Sequence, residues 1–101
     1  MSDARFDETI HAPVRLRICG LLRQVDQLDF AVVRDALEVS DATLSKHLKT
    51  LVVAGYVRSS KAASADRDDA RRVTWLSLTR DGRSAFDAHV RALRAIAGPT
   101  G

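Results

Sequence analysis

The sequence predicts a mainly α-helical domain of the α+β class, in which three helices precede one β-hairpin and a fourth helix follows it. Apolar residues recur at the three- to four-residue spacing of a helix face in four stretches of the chain. Between the third and fourth stretches, two runs that favour strands flank a polar segment, which is the pattern of a hairpin. The chain has 101 residues, of which 46% are hydrophobic and 29% charged. This length and balance predict a single soluble domain over residues 1–101.

The first two helices are predicted before residue 38. From Ile10 onward one helical face is apolar, and its members are Ile10, Val14, Ile18, Leu21, Leu22 and Val25. Pro13 fits the first turn of this helix because its missing N–H is not needed there. A break over residues 27–29 separates it from a shorter helix that carries Phe30, Val33 and Leu37 on one face.

The third helix is predicted from Asp41 to Ala54, after a tight turn over residues 38–40. Ser40 is a good N-cap for this helix, and Gly55 is a natural stop at its C-terminal end. The apolar stripe of the helix consists of Leu44, Leu48, Leu51 and Val52.

A hairpin and a last helix complete the predicted fold. The strands are predicted over 57–62 and 72–78, around a loop over 63–70 that is rich in small and charged residues. Thr79 can cap the last helix, which extends to residue 97. The apolar face of this helix is predicted to hold Phe86, Val90, Leu93 and Ala97, with Ile96 beside them.

Several classes of protein are excluded by what the sequence lacks. No apolar run approaches the roughly 18 residues that a membrane span needs, and the polar residues 1–8 resemble neither a signal peptide nor a transit peptide. Cys19 is the single cysteine, so it cannot form a disulfide framework or a structural zinc site by itself. There is no glycine-rich phosphate loop, nucleophile–base arrangement or pair of carboxylates in an apolar setting. We therefore expect a cytoplasmic protein that is not an enzyme.

The positive charge is concentrated in the middle-to-late part of the chain. The formal net charge is +3, from 16 basic and 13 acidic side chains. Residues 55–83 alone hold seven basic and four acidic side chains, whereas residues 1–27 hold four of each. This distribution is more informative about a nucleic-acid partner than the small total is.

The third helix has the outer face of a helix that contacts DNA. At about 100° per residue, the positions opposite its apolar stripe are Ala42, Thr43, Lys46, Lys49 and Thr50, with Ser45 and His47 on the flanks. Small, hydroxylic and cationic side chains suit entry into the major groove and contact with phosphates. Ser40 and the free N–H groups of the first turn can also meet a phosphate. A solvated amphipathic helix is the alternative interpretation, and Asp41 is the one charge that opposes DNA.

The hairpin adds a cluster of cationic side chains directly after this helix. Its members are Arg58, Lys61, Arg67, Arg71 and Arg72. Such a hairpin can follow the phosphate backbone or enter the minor groove. Acidic residues at its tip, Asp66, Asp68 and Asp69, favour the alternative of a charge-mixed surface loop. Two short helices joined by a short turn and followed by a hairpin make a winged helix-turn-helix, of order α-α-α-β-β-α.

Two segments of the sequence resemble the MarR and ArsR families of winged-helix regulators. Residues 40–57, SDATLSKHLKTLVVAGYV, are similar to the recognition-helix signature of these families, and residues 78–83, LTRDGR, follow the wing in many MarR-type proteins. The similarity extends over roughly residues 15–95. It implies a homodimeric bacterial or archaeal transcription factor, a repressor, that binds a pseudo-palindromic operator in double-stranded DNA.

The resemblance and the two basic elements together define the expected site residues. Those expected on DNA are Ser40, Thr43, Ser45, Lys46, His47, Lys49, Arg58, Lys61, Arg71 and Arg72. The first and last helices would pair two subunits, and the residues expected at this interface are Leu16, Phe86, Val90, Leu93 and Ile96. The apolar face of residues 86–97 is long for a chain of this size, which supports such pairing.

The chain departs from these families where they bind metals and effectors. Residues 31–39 lack the cysteine pair of ArsR-type sensors, and Asp87-Ala88-His89 reproduces only the opening of their other metal site. We therefore expect no metal and no cofactor, and we expect Cys19 to be a small core residue and not a redox sensor. The sequence identifies no effector site. A winged helix that binds another protein and not DNA stays open as the alternative function.

Overall fold

The computed structural model describes residues 3–63 and 72–98, which form five helices and three strands. In chain order these elements are α1 (Glu8–His11), α2 (Pro13–Arg23), β1 (Leu28–Asp29), α3 (Phe30–Leu37), α4 (Asp41–Val53), β2 (Val57–Ala63), β3 (Arg72–Leu78) and α5 (Arg80–Ala97). The predicted mainly helical α+β fold is confirmed. The predicted hairpin tip, with Arg67, Arg71 and its three aspartates, lies outside the described residues. Among the described helices, none has the length and apolarity that crossing a membrane would require.

The core lies between the helices α2, α3 and α4 and the sheet. Its fully buried members include Ile18, Leu22, Val33, Leu44, Leu51 and Leu76. The apolar stripes predicted for the first three helices supply most of these side chains, because each helix turns most of its stripe toward the shared core. The prediction was wrong for Val52 of α4, which is 42% exposed.

The predicted caps are confirmed. Ser40 Oγ accepts the N–H of Thr43 at 3.1 Å, and Thr79 Oγ1 accepts the N–H of Gly82 at 2.9 Å. Gly55 follows α4 with φ +84°, a conformation that a residue without Cβ adopts at little cost. The turn between α3 and α4 is short because Glu38 takes a left-handed conformation, with φ 56°, and ends α3 there.

The N-terminal region differs from the single helix predicted from Ile10 to Val25. A four-residue helix, α1, precedes α2, and Ala12 between them is extended with ψ 132°. The residue before a proline is pushed away from the helical conformation, so Pro13 starts a new helix and does not continue an earlier one. Asp7 caps α1 by accepting the N–H of Ile10 at 3.1 Å. Val25 lies beyond the end of α2 at Arg23.

The sheet has three strands, not the two of the predicted hairpin. Strand β1 is only two residues long and pairs antiparallel with β3, with Leu28 opposite Leu76 and Asp29 opposite Trp75. The sheet order is β1-β3-β2. Residues 27–29 were predicted as a break, because two residues are too short for an alternating pattern.

The N-terminal segment is joined to α5 and to the end of α4 by a group of side chains that we call the histidine cluster: Phe6, Asp7, His11, Tyr56 and His89. The N–H of Asp7 donates to Nδ1 of His89 at 2.9 Å, and Nε2 of His89 lies 3.2 Å from Nδ1 of His11. Since Nδ1 of His89 is an acceptor, its proton sits on Nε2 and is donated to His11. The Tyr56 hydroxyl donates to Asp7 at 2.6 Å, which raises the pKa of Tyr56 to about 12.

We expect the stability of the fold to decrease as the pH falls below about 6.5. His89 is fully buried, and burial together with the neighbouring His11 lowers its pKa. Well above pH 6.5 the folded and unfolded states both hold this imidazole neutral, so its contribution is complete there. As the pH falls toward the lowered pKa, only the unfolded state binds the extra proton. The free energy of unfolding then falls by up to about 1.4 kcal/mol for each pH unit. Urea denaturation at pH 7.5, 6.5 and 5.5 measures the effect.

The control for this prediction is His89→Asn, whose amide oxygen can accept the Asp7 N–H without titrating. This variant should lose part of the pH dependence and keep the part that belongs to His47, whose pKa is also lowered. Equal dependence in both proteins would contradict a role of His89.

Candidate nucleic-acid interface

Helix α4 is held by its apolar side and presents a polar, cationic side to solvent. Leu44, Leu48 and Leu51 are buried in the core. On the opposite side Ser45, Lys46, Lys49 and Thr50 are exposed, while Thr43 and His47 are half-buried. All the site residues predicted on this helix therefore lie outside its buried stripe. No acidic side chain lies on this outer face after the first residue, Asp41.

The negative charge of Asp41 is balanced from the preceding helix. Arg34 of α3 donates from Nη1 to Asp41 at 2.9 Å and from Nε to Asp35 at the same distance. The sequence alone presented Asp41 as the charge that opposes DNA binding. Its pairing with Arg34 reduces that repulsion, and the carboxylate also suits the positive end of the helix dipole.

The start of α4 is organised by two hydroxyls. Ser40 accepts the Thr43 N–H and donates its own proton to the Thr43 hydroxyl at 3.0 Å. Ser40 therefore acts as a cap in the free protein. Because the Thr43 oxygen is the acceptor in that bond, its hydroxyl proton is left to donate outward.

A groove separates α4 from β2 and β3, the two strands of the hairpin that we call the wing. Several predicted site residues line it together. Its volume is about 370 Å³, and its polar lining consists of Ser45, Lys49, Ser59, Lys61 and Thr74. Lys49 from α4 and Lys61 from β2 thus face the same space from opposite walls. A groove lined by two lysines and three hydroxyl side chains is suited to a phosphodiester backbone.

The structure does not bring every predicted cation of the wing to this groove. Arg58 of β2 lies opposite Ser77 of β3. It precedes Ser59 by one residue and Lys61 by three, which are both odd separations along the strand. Since successive side chains of a strand point to opposite faces, exposed Arg58 lies on the far face of the sheet. The backbone of Arg72 pairs with Ala63 at the start of β3. Arg71 lies outside the described residues.

A contact that sequence reasoning missed holds His47 on the other flank of α4. Arg15 of α2 donates from Nη1 to Nδ1 of His47 at 3.1 Å. Arg15 also donates from Nε to the carbonyl oxygen of Thr9 in α1. Burial, Arg15 and Lys46 together lower the pKa of His47. Arg15 and His47 are 32 positions apart, so no local pattern marks them as partners.

The residues predicted at a subunit interface fall into two groups. Leu16 and Phe86 are half-buried against the core of their own chain, and the Phe86 ring lies near Gly20 of α2. Val90 and Leu93 are half-buried on α5, and Ile96 is 70% exposed.

The inward face of α5 also differs from the predicted stripe. Its buried residues are Gly82, His89 and Ala92, because α5 packs on the Gly55–Tyr56 corner and on the N-terminal segment.

The side chains weighed for metal or redox chemistry are engaged in the fold. Asp87 accepts two hydrogen bonds from Arg23, at 2.9 and 3.1 Å, which hold its pKa below the ordinary value. His89 belongs to the histidine cluster. Cys19 is fully buried, and burial is the main cause that raises its pKa to about 12. A thiol with this pKa is not a thiolate at neutral pH, which fits its predicted place in the core.

Comparisons with known proteins agree with this geometry. A family model described as a winged helix DNA-binding domain matches residues 14–97. An uncharacterized protein of Methanocaldococcus jannaschii is 30% identical over 77 residues, which are 76% of this chain and 79% of that protein. A transcriptional regulator homologue from Pyrococcus horikoshii has the same fold, with a TM-score of 0.81 and 24% identity over 90% of this chain and 86% of that one.

A MarR-family transcriptional regulator from Silicibacter pomeroyi is also similar, with a TM-score of 0.65 and 27% identity. The match covers 83% of this chain and 53% of the regulator, so this chain spans about half of that protein. The predicted likeness to MarR-type winged helices is confirmed.

Proposed function

The chain belongs to the family of winged helix DNA-binding domains, and on that premise we propose that it is a transcriptional repressor that binds a pseudo-palindromic operator as a homodimer. In this proposal α4 enters the major groove, and the groove between α4 and the wing holds the phosphate backbone. The observation that carries the proposal is the convergence of Lys49 and Lys61 on one groove beside the exposed Lys46.

The contacts with DNA are divided between α4 and the wing. Lys46, Lys49 and Lys61 supply charge to phosphates, while Thr43 and Ser45 on α4 supply hydroxyls that can reach base edges. Ser40 caps α4 and places its first N–H groups near a phosphate. The other cations of the wing, Arg58, Arg71 and Arg72, would contact the backbone outside this groove, with Arg58 on the face of the sheet that points away from α4.

A second copy of the chain would cover the end of α5. An 18-residue helix is about 27 Å long, and its last buried side chain is Ala92. Beyond that point Leu93 is only half-buried and Ile96 is 70% exposed in one chain. A paired subunit would bury them and would place two α4 helices on successive half-sites of the operator.

Lys46→Ala and Lys49→Ala are each expected to weaken DNA binding about threefold to tenfold at low salt. Each lost phosphate contact should also reduce the slope of log affinity against log salt by about 1. Fluorescence anisotropy with labelled genomic duplexes measures both quantities. Arg94→Ala is the matched control, because it removes one exposed cation from α5 and should leave affinity and slope close to wild type. Wild-type affinity in both lysine variants would show that α4 does not face DNA.

A protein partner is the second candidate function, and two valines at the end of α4 favour it. Val53 is 79% exposed and Val52 is 42% exposed. Val53→Asp separates the two candidates: it should abolish binding of a protein partner that docks on these valines. If α4 enters the major groove with its N-terminal turns, the same variant should keep more affinity for DNA than Lys46→Ala does.

A further inference from the structure

One side chain from outside α4 reaches the flank of α4 that faces away from the wing. Arg15 of α2 is anchored to the Thr9 carbonyl in α1 and donates to Nδ1 of His47 at 3.1 Å. A guanidinium offers only donors and stays protonated. Nδ1 of His47 must therefore be the acceptor, so the ring proton sits on Nε2, on the other side of the imidazole.

The surroundings of His47 favour this uncharged form. The charged groups that act on the ring are Arg15 from α2 and Lys46 from α4 itself, and both are cations. Helix α1 acts on this pair through the Thr9 carbonyl oxygen, which accepts a hydrogen bond from Arg15 and holds it in place. A proton on Nδ1 would face the guanidinium directly, so protonation would require the pair to separate. Burial, Arg15 and Lys46 together lower the pKa of His47, in that order of size.

The Nε2 side of the ring is available to a ligand. His47 is half-buried and lies with Thr43 and Thr50 on one flank of α4. Within the described part of the chain, His47 is hydrogen-bonded only through Nδ1, and no buried side-chain nitrogen or oxygen lacks a partner. Nε2 is therefore reached by solvent, on the side of α4 that is proposed to meet DNA.

We propose that Arg15 is a positioning residue that presents His47 as an uncharged hydrogen-bond donor, with Nε2–H directed at an acceptor on DNA. This inference rests on the proposed DNA-binding function. It adds Arg15, which lies outside α4 and the wing, to the residues on which DNA binding depends. The acceptor is a phosphate oxygen or the acceptor edge of a base. A neutral donor gives a directional contact without adding to the salt-dependent attraction of the lysines.

The protonation state is tested on the free protein, so this arm does not depend on DNA binding. Long-range ¹H–¹⁵N correlation spectra of the labelled full chain distinguish the two imidazole nitrogens between pH 5 and 8, and His47→Gln identifies the His47 signals by their loss. The expected result is a proton on Nε2 at pH 7.5 and a titration midpoint below 6.5. A proton on Nδ1, or a midpoint at or above 6.5, would overturn the proposal.

Variants of Arg15 separate positioning from a merely structural role. Arg15→Met removes both the donor and the charge, so the His47 midpoint should rise and the preference for one tautomer should weaken. Arg15→Lys keeps a cationic donor and should restore the low midpoint. An unchanged midpoint in a folded Arg15→Met protein would mean that Arg15 does not control His47.

DNA binding then locates the acceptor. His47→Ala should weaken binding about threefold to tenfold, the range of one hydrogen bond, whereas His47→Gln keeps an N–H donor and should lose less. The probes are a duplex selected from genomic fragments and a scrambled duplex of the same composition. A loss on both identifies a phosphate acceptor, and a loss on the selected duplex alone identifies a base edge.

A pH series completes the test. Arg15→Met should bind DNA more tightly at pH 6 than at pH 7.5, because its His47 can become cationic, and Arg15→Met/His47→Gln should not. If His47→Ala binds both duplexes like wild type while Lys46→Ala does not, the role of His47 is refuted and the proposed function stands. If the wild type binds neither duplex, the proposed function fails, and the DNA role of His47 fails with it.

Discussion

Gly82→Ala is expected to lower the free energy of unfolding by about 3 kcal/mol or more, the upper range of overpacking effects. A Cβ at residue 82 would lie 2.9 Å from the carbonyl carbon of Tyr56 and closer still to its oxygen. Both groups are backbone, and α5 is fixed at this corner by the Thr79 hydroxyl, which donates to the Gly55 carbonyl at 2.6 Å. Helix α5 would have to move away from the end of α4. Urea denaturation followed by circular dichroism measures the loss.

Gly20→Ala is the matched control for this prediction. It makes the same exchange inside a helix, but the nearest atom to its new Cβ is the end of the Phe86 ring, at 3.9 Å. Because alanine is the better helix former, this variant should be stabilised by about 0.5–1 kcal/mol. A Gly82→Ala protein as stable as Gly20→Ala would show that α5 does not pack on Tyr56 as closely as described.

Ile96→Asp is expected to convert the proposed homodimer into monomers and to weaken operator binding about 100-fold or more. The side chain is 70% exposed in one chain, so the fold does not need it. A buried carboxylate between two α5 helices would be unpaired and costly. A monomer can occupy only one half-site, so it loses the gain in affinity that comes from binding two half-sites at once. That gain amounts to factors of about 10² to 10⁴. Sedimentation velocity and anisotropy measure the two effects.

Leu93→Asp should act in the same direction, and Ala95→Asp is the control. Ala95 is exposed and lies about 100° around α5 from Ile96 and about 160° from Leu93, so the new charge there should leave the dimer intact. Phe86→Asp is a poorer test, because Phe86 lies against the core of its own chain. A dimer that persists in both Ile96→Asp and Leu93→Asp would move the interface away from the end of α5.

Most of the fold was predictable because its signals are local. Ser40 and Thr79 mark the starts of α4 and α5 within one turn, and Gly55 marks the end of α4 by its own backbone preference. The apolar stripes of α2, α3 and α4 then orient these helices without further information. The acid-free cationic face of α4 follows from the same periodicity.

The parts that could not be predicted depend on residues far apart in the chain. His89 is bonded to the backbone of Asp7 across 82 positions, and this contact is one of those that hold the His89 face of α5 inward. Strand β1 exists only because Trp75 and Leu76 offer it an edge.

The position of Arg58, in contrast, was open to prediction. With Val57 buried, strand alternation already places Lys61 on the same side of the sheet and Arg58 on the other.

The claim that α4 and the wing bind the DNA backbone and bases is best tested by the salt dependence of DNA binding. The measurement is anisotropy of labelled genomic duplex fragments with the full chain, between about 50 and 200 mM salt. Several phosphate contacts predict a steep, linear fall of log affinity with log salt, by about 10³ or more over this range for six contacts. No binding at the lowest salt, or affinity that is independent of salt, would contradict the claim and favour a protein partner.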